Sequence, residues 1–133
     1  MTAVRRTRKR HVREHRCLVV EDSLFDRERL RRVLDHSFKE MQTVFAATLQ
    51  EARTAVQKTP PSLILLDNNL PDGQGANFAV ELSQDARYSD IAVVIVSDWP
   101  SPFMFHKAEI AGVRHVVSKS EFGARYVHSA LQS

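Results

Sequence analysis

Five short apolar runs punctuate this chain, and little polar alternation interrupts them. They are Leu18-Val19-Val20, Thr43-Val44-Phe45-Ala46-Ala47, Leu63-Ile64-Leu65-Leu66, Ile91-Ala92-Val93-Val94-Ile95-Val96 and His115-Val116-Val117-Ser118. Runs of this kind suit strands buried on both faces, as in a parallel sheet. Helical spacing fills the gaps between them. Ser23 or Asp26 caps a first helix with Leu24, Leu30, Val33 and Leu34 near one face and Arg27, Glu28, Arg29, Arg31 and Arg32 on the other. Thr48 opens a second (Leu49, Ala52, Ala55, Val56), which Pro60-Pro61 closes. A third covers Ala76 to Leu82. Pro100 and Pro102 delay the fourth to about Phe103 and point to a shortened or displaced helix, lined by Phe103, Phe105, Ala108, Ile110 and Ala111. The last runs from Glu121 to Leu131, with Phe122, Tyr126, Val127 and Leu131 near one stripe. Phe103, Phe105 and Phe122 read most simply as core. Strand–helix repeated five times predicts an α/β fold: one domain built on a five-stranded parallel, doubly wound sheet with right-handed crossovers.

Four of the five runs end in a polar residue of a distinct kind: Glu21-Asp22, Asp67, Ser97 and Lys119. Parallel strands bring those ends to one edge of the sheet, where open α/β folds bind their ligands. Crowded carboxylates raise one another's pKa unless a cation sits among them. Hard oxygen ligands suit Mg²⁺, which prefers one or two carboxylates together with a phosphate oxygen. A lysine and a serine beside such a metal fit a phosphoryl group, with a carboxylate as nucleophile. After Asp67 a turn follows at once, through Asn68, Asn69, Pro71, Asp72 and Gly73.

Charge divides the chain in two. Residues 1–16 hold seven Lys or Arg against Glu14, a local balance of +6 within a net charge of +3, which leaves the remaining 117 residues at −3. The tail reads as disordered, and residues 5–16 as a candidate contact with nucleic acid or an anionic surface. The alternative is a solvated extension that aids solubility. The single cysteine, Cys17, excludes an internal disulfide and fits a reducing cytoplasm. No apolar run approaches the roughly 20 residues of a membrane span.

With these residues in hand, the chain from about Cys17 to Leu131 resembles a response-regulator receiver domain of two-component signalling. The family's aspartate-x-Asn-[Leu/Met]-Pro motif with its later glycine is matched by Asp67-Asn68-Asn69-Leu70-Pro71 and Gly75. Its acidic pair is matched by Glu21 and Asp22, its hydroxyl residue by Ser97 and its lysine by Lys119. The resemblance implies a flavodoxin-like (βα)5 fold with strand order 2-1-3-4-5, and a receiver domain over residues 17–133. It also implies roles. Asp67 accepts a phosphoryl group from a histidine kinase or histidine phosphotransfer protein. Asp22, Glu21, Asp67 and the backbone carbonyl of Asn69 hold Mg²⁺. Lys119 and Ser97 bind the phosphoryl oxygens. Output passes through contacts with a downstream protein, in the cytoplasm.

Departures from the family pattern accompany these matches. Asp98 stands where a small residue is usual, and with Asn68 and Trp99 it is expected to shape the phosphate site. Trp99 is expected to shield the phosphate from water. The switch aromatic is replaced by Val116, and the proline after the lysine by Ser120. These changes keep open a degenerate receiver that works as a phosphorylation-independent interaction module. A phosphatase with an aspartyl nucleophile is a third reading. Such enzymes usually carry an acid/base aspartate two residues on, and Asn69 occupies that position. The last predicted helix reaches the end of the sequence, so a stand-alone phosphoacceptor, not an enzyme in the ordinary sense, is expected.

Overall fold

Each apolar run forms a strand in the computed structural model, which describes residues 16–132. The strands are β1 (Arg16–Val20), β2 (Gln42–Ala46), β3 (Leu63–Leu66), β4 (Ala92–Ser97) and β5 (His115–Ser118). All pair in parallel, in the order β2-β1-β3-β4-β5. The helices α1 (Leu24–Ser37), α2 (Leu49–Lys58), α3 (Gly75–Ser83), α4 (Pro102–Ala111) and α5 (Ala124–Gln132) cover the two faces. This is the expected doubly wound sheet with strand order 2-1-3-4-5. The expected tail over residues 1–16 lies outside the described residues except for Arg16, which already pairs with Gln42 in β1.

Alternate side chains along each strand feed opposite layers, as a two-residue period demands. Leu18, Val20, Ile64, Leu66, Val93 and Ile95 pack with Ala52 and Val56 of α2, Phe78 and Leu82 of α3, and Met104 and Ala108 of α4. Cys17, Val19, Leu63, Leu65, Val94 and Val96 face Leu30 and Leu34 of α1 and Val127 and Ala130 of α5. Every residue of β3 and β4 is buried. Cys17 belongs to this packing, and burial pushes its thiol above the ordinary range.

Expectations about three helices need correction. The fourth is not shortened by its prolines, running 10 residues: Pro102 sits at the first helical position, where its missing N–H costs nothing, and Ser101 caps the helix by accepting from the Met104 N–H at 3.3 Å. The phase set by that cap turns Met104 and Ala108 inward. Phe103 and Phe105 flank Met104 by about 100° on either side, so neither joins the core: both are exposed, as is Ile110. Leu24 is also exposed, because it lies six positions from Leu30 and off that face of α1. The last helix starts at Ala124 rather than Glu121, after a turn over Ser120–Glu121.

The chain between β3 and α3 is a tight structure of its own. Asn69-Leu70 pairs antiparallel with Gly73-Gln74, and Gly73 takes φ 152°, which favours glycine. Asp72 accepts from the Leu49 and Gln50 N–H groups at 2.8 and 3.0 Å, tying this loop to the first turn of α2. Gly75 then presses against the strand end: a Cβ there would lie 2.2 Å from the Asp67 carbonyl oxygen and 3.0 Å from Leu66 Cγ. Gly75→Ala is expected to cost about 1–3 kcal/mol by urea denaturation, while Gly123→Ala, with open space around it, stays close to neutral.

Candidate functional site

Main-chain hydrogen bonds extend the ladder past the strands and set the site residues at one edge. The Glu21 N–H donates to the Ala46 carbonyl at 2.9 Å, the Asp67 N–H to the Val20 carbonyl at 3.0 Å, and the Lys119 N–H to the Ser97 carbonyl at 3.0 Å. Glu21, Asp67, Asn68 and Ser97 are the buried polar residues among the described residues. Burying polar groups is costly unless partners compensate, so their gathering at one edge is informative.

Carboxylate oxygens of Glu21, Asp22 and Asp67 lie within 4.8 Å of one another; Glu21 and Asp67 are buried and Asp22 is exposed. Facing them is the Lys119 ammonium, whose side chain is 10% exposed. It stands 2.9 Å from Glu21 Oε1, 3.7 Å from Asp67 Oδ2 and 3.9 Å from Asp98 Oδ2. Its best hydrogen bond goes elsewhere, to Asp26 Oδ2 at 2.7 Å. Burial works against the charge on Lys119, but hydrogen bonds to Asp26 and Glu21 and the charges of Asp67 and Glu21 outweigh it and hold its pKa above the ordinary value. Asp67 shows the opposite strain. Burial, followed by the charge of Glu21, pushes it up to about 7, despite Lys119 and the N–H groups of Asn69 and Asn68.

The other expected site residues take varied positions. Ser97 is fully buried, and its Oγ has no hydrogen-bond partner. Asn68 turns towards α3: its Oδ1 accepts from the Ala76 N–H at 2.9 Å and its carbonyl from the Gly75 N–H at 2.8 Å. The Asn68 side-chain oxygen therefore serves the start of α3. Asn69 is exposed in the loop. Asp98 sits at the rim within reach of Lys119. Trp99 is 84% exposed and packs on little. Val116 packs on the layer of α2, α3 and α4, whereas His115 faces α5, with its ring 5.4 Å from that of Tyr126 and its Nε2 3.0 Å from Ser129 Oγ.

Asp26 is the site residue that sequence reasoning missed, having weighed it only as a cap. Ser23 is the cap, its Oγ accepting from the Asp26 N–H at 3.3 Å. That leaves the Asp26 carboxylate free to face Lys119. The available signal was the spacing: four residues after Asp22, on the first turn of a helix leaving the same strand.

Comparison with known proteins gives this arrangement a family. The response regulator receiver domain model matches residues 17–132, and the chain belongs to that family. It is 40% identical over 67 residues to the transcriptional regulatory protein DpiA of Escherichia coli, an overlap of 50% of this chain and 30% of DpiA. The signal receiver domain of a DNA-binding response regulator from Colwellia psychrerythraea superposes with a TM-score of 0.81 at 13% identity, covering 89% of this chain and 98% of that one. The Mn²⁺-bound form of the response regulator Rcp1 gives 0.73 at 23% identity, covering 88% and 89%. These likenesses support the flavodoxin-like (βα)5 fold, and members of the family serve two-component signalling. Among the described residues no helix is long and apolar enough to cross a membrane.

The raised pKa of Asp67 has a testable sign. A native carboxyl that keeps its proton up to about pH 7, when the unfolded chain loses it near pH 4, lowers stability progressively across that window. With divalent metal chelated, Asp67→Asn should be more stable than wild type by about 2–4 kcal/mol above pH 7. The gain should vanish towards pH 4. Urea denaturation at the two pH values checks it.

Proposed function

We propose that Asp67 is a phosphoacceptor, taking a phosphoryl group from a phosphohistidine on a kinase or histidine phosphotransfer protein in a Mg²⁺-dependent reaction. The observation that carries this reading is the meeting of three carboxylates, one ammonium and a buried, unpartnered hydroxyl at the carboxyl edge of the sheet. A buried hydroxyl with nothing to bond is costly, and an incoming phosphoryl oxygen is a suitable partner for Ser97.

The residues fit a divalent cation. Glu21, Asp26, Asp67 and Asp98 share the ammonium of Lys119, Asp22 stands beside Glu21 and Asp67, and the charge of Glu21 adds to burial in raising the pKa of Asp67. The carboxylates of Asp22, Glu21 and Asp67, with the Asn69 carbonyl, would hold Mg²⁺, and Rcp1 is described in a Mn²⁺-bound form. When bound, the ion neutralises the carboxylates and the phosphoryl oxygens. Asp67 supplies the attacking oxygen and must be ionised to do so. Lys119 offsets charge on the phosphoryl oxygens, and Ser97 donates its hydroxyl hydrogen to one of them. Asp98 opposes an incoming anion from the rim. Trp99 can shield the phosphate only by turning inward from its exposed position.

Output through protein contact is supported by the exposed apolar side chains Trp99, Phe103, Phe105 and Ile110 on and before α4. A cytoplasmic location and a contact between residues 5–16 and nucleic acid or an anionic surface belong to the same proposal. One observation favours the alternative of a phosphorylation-independent module: Val116 offers no ring to couple Ser97 to the α4 face.

Acetyl phosphate with Mg²⁺ should add one phosphoryl group by intact mass, and Asp67→Ala should add none. No adduct together with no binding of Mg²⁺ or beryllofluoride would move the function to the interaction module. Ser97→Ala should raise stability by about 1 kcal/mol in the ligand-free protein, because it removes an unsatisfied hydroxyl. The same change should weaken beryllofluoride binding.

A further inference from the structure

Lys119 is bound more closely to α1 than to Asp67. Its Nζ makes an aligned hydrogen bond to Asp26 Oδ2 at 2.7 Å, while Asp67 Oδ2 is 3.7 Å away. Glu21 Oε1 is also 2.9 Å from Nζ, an ion pair of poorer hydrogen-bond alignment than the one to Asp26. The same helix holds the lysine main chain, because Arg29 Nη2 donates to the Lys119 carbonyl at 3.2 Å. Asp26 is itself fixed by its N–H on Ser23 Oγ, with its side chain 19% exposed. A cavity of about 30 Å³ lies beside the pair, lined by Glu21, Asp26, Arg29, Val96, Lys119 and Phe122, and gives the ammonium room to shift.

We propose that Asp26 is a positioning residue, holding the Lys119 ammonium on the first turn of α1 and away from Asp67 until a phosphoryl oxygen competes for it. This rests on the phosphoacceptor reading and extends it. Asp26 takes one of the ammonium's three donors and part of its charge, and so competes with a phosphoryl group beside Asp67. A dianionic phosphoryl group is the stronger attractor, since charge-assisted hydrogen bonds strengthen with acceptor charge. Coupling of this kind is reciprocal. Whatever Asp26 withholds from the phosphoryl group, the phosphoryl group withholds from Asp26, so phosphorylation loosens the grip between Lys119 and α1.

Titration calorimetry of the folded chain with Mg²⁺ alone, and then with beryllofluoride in saturating Mg²⁺, tests the proposal. Asp26→Asn should bind beryllofluoride more tightly, on the order of three- to tenfold, while its Mg²⁺ affinity is unchanged or weaker. General damage to the site would move both in the same direction. Asp26→Glu restores the carboxylate and should return beryllofluoride affinity towards wild type. The capping bond uses the main-chain N–H of Asp26, so Asp26→Ala is a second variant should the Asn protein fail to fold. Unchanged or weaker beryllofluoride binding in the variants, with wild type binding normally, overturns the role of Asp26 and leaves the phosphoacceptor reading intact. Wild type that fails to bind beryllofluoride at all overturns both.

Discussion

Lys119 sets its ammonium against the carboxylates of Glu21, Asp26, Asp67 and Asp98 at the edge of the sheet, and the rest of the site is arranged around that imbalance. Glu21 and Asp67 are buried, where water cannot screen their repulsion. Lys119 relieves part of it and is held charged by doing so. Burial, with the repulsion that remains from Glu21, appears as the reluctance of Asp67 to ionise. A site of this kind suits a cation. Neither Lys119 nor Ser97 would have that character at the surface.

Burial on this scale depends on the sheet. β3 and β4 are buried throughout, so their ends have little freedom, and the main-chain bonds from Glu21, Asp67 and Lys119 to neighbouring strands carry that rigidity one residue further. The close approach of Gly75 to the Asp67 carbonyl locks α3 to the same point. The geometry of the cluster is thus set by backbone hydrogen bonding, and the side chains need only be of the right type.

The sheet, its order and the cluster of chemistry at its edge were legible because they rest on strong signals. Uninterrupted apolar runs leave few alternatives to buried parallel strands, and a charged residue directly after such a run must stand at its end. Helix faces were harder to read. Phe103 and Phe105 look like core by composition, but a one-residue choice of start, made by Ser101 and Pro102, turned them both to solvent. Asn68 adds a contact that only the path of the loop reveals: its side-chain oxygen accepts from the Ala76 N–H at the start of α3. Asp26 was hidden because an acidic residue in the first turn of a helix already has an adequate local explanation. Its pairing with a lysine 93 positions away is a tertiary fact.

Asp72 carries a further consequence. Its carboxylate spans 23 and 22 positions to bond the Leu49 and Gln50 amides, so the first turn of α2 is partly capped by the loop that carries Asn69. These two amides are therefore a remote gauge of that loop. Their hydrogen–deuterium exchange follows its opening, although neither lies in a strand end or near a charged ligand. The loop at the carboxyl edge is thus fastened to the helix that packs next to β2.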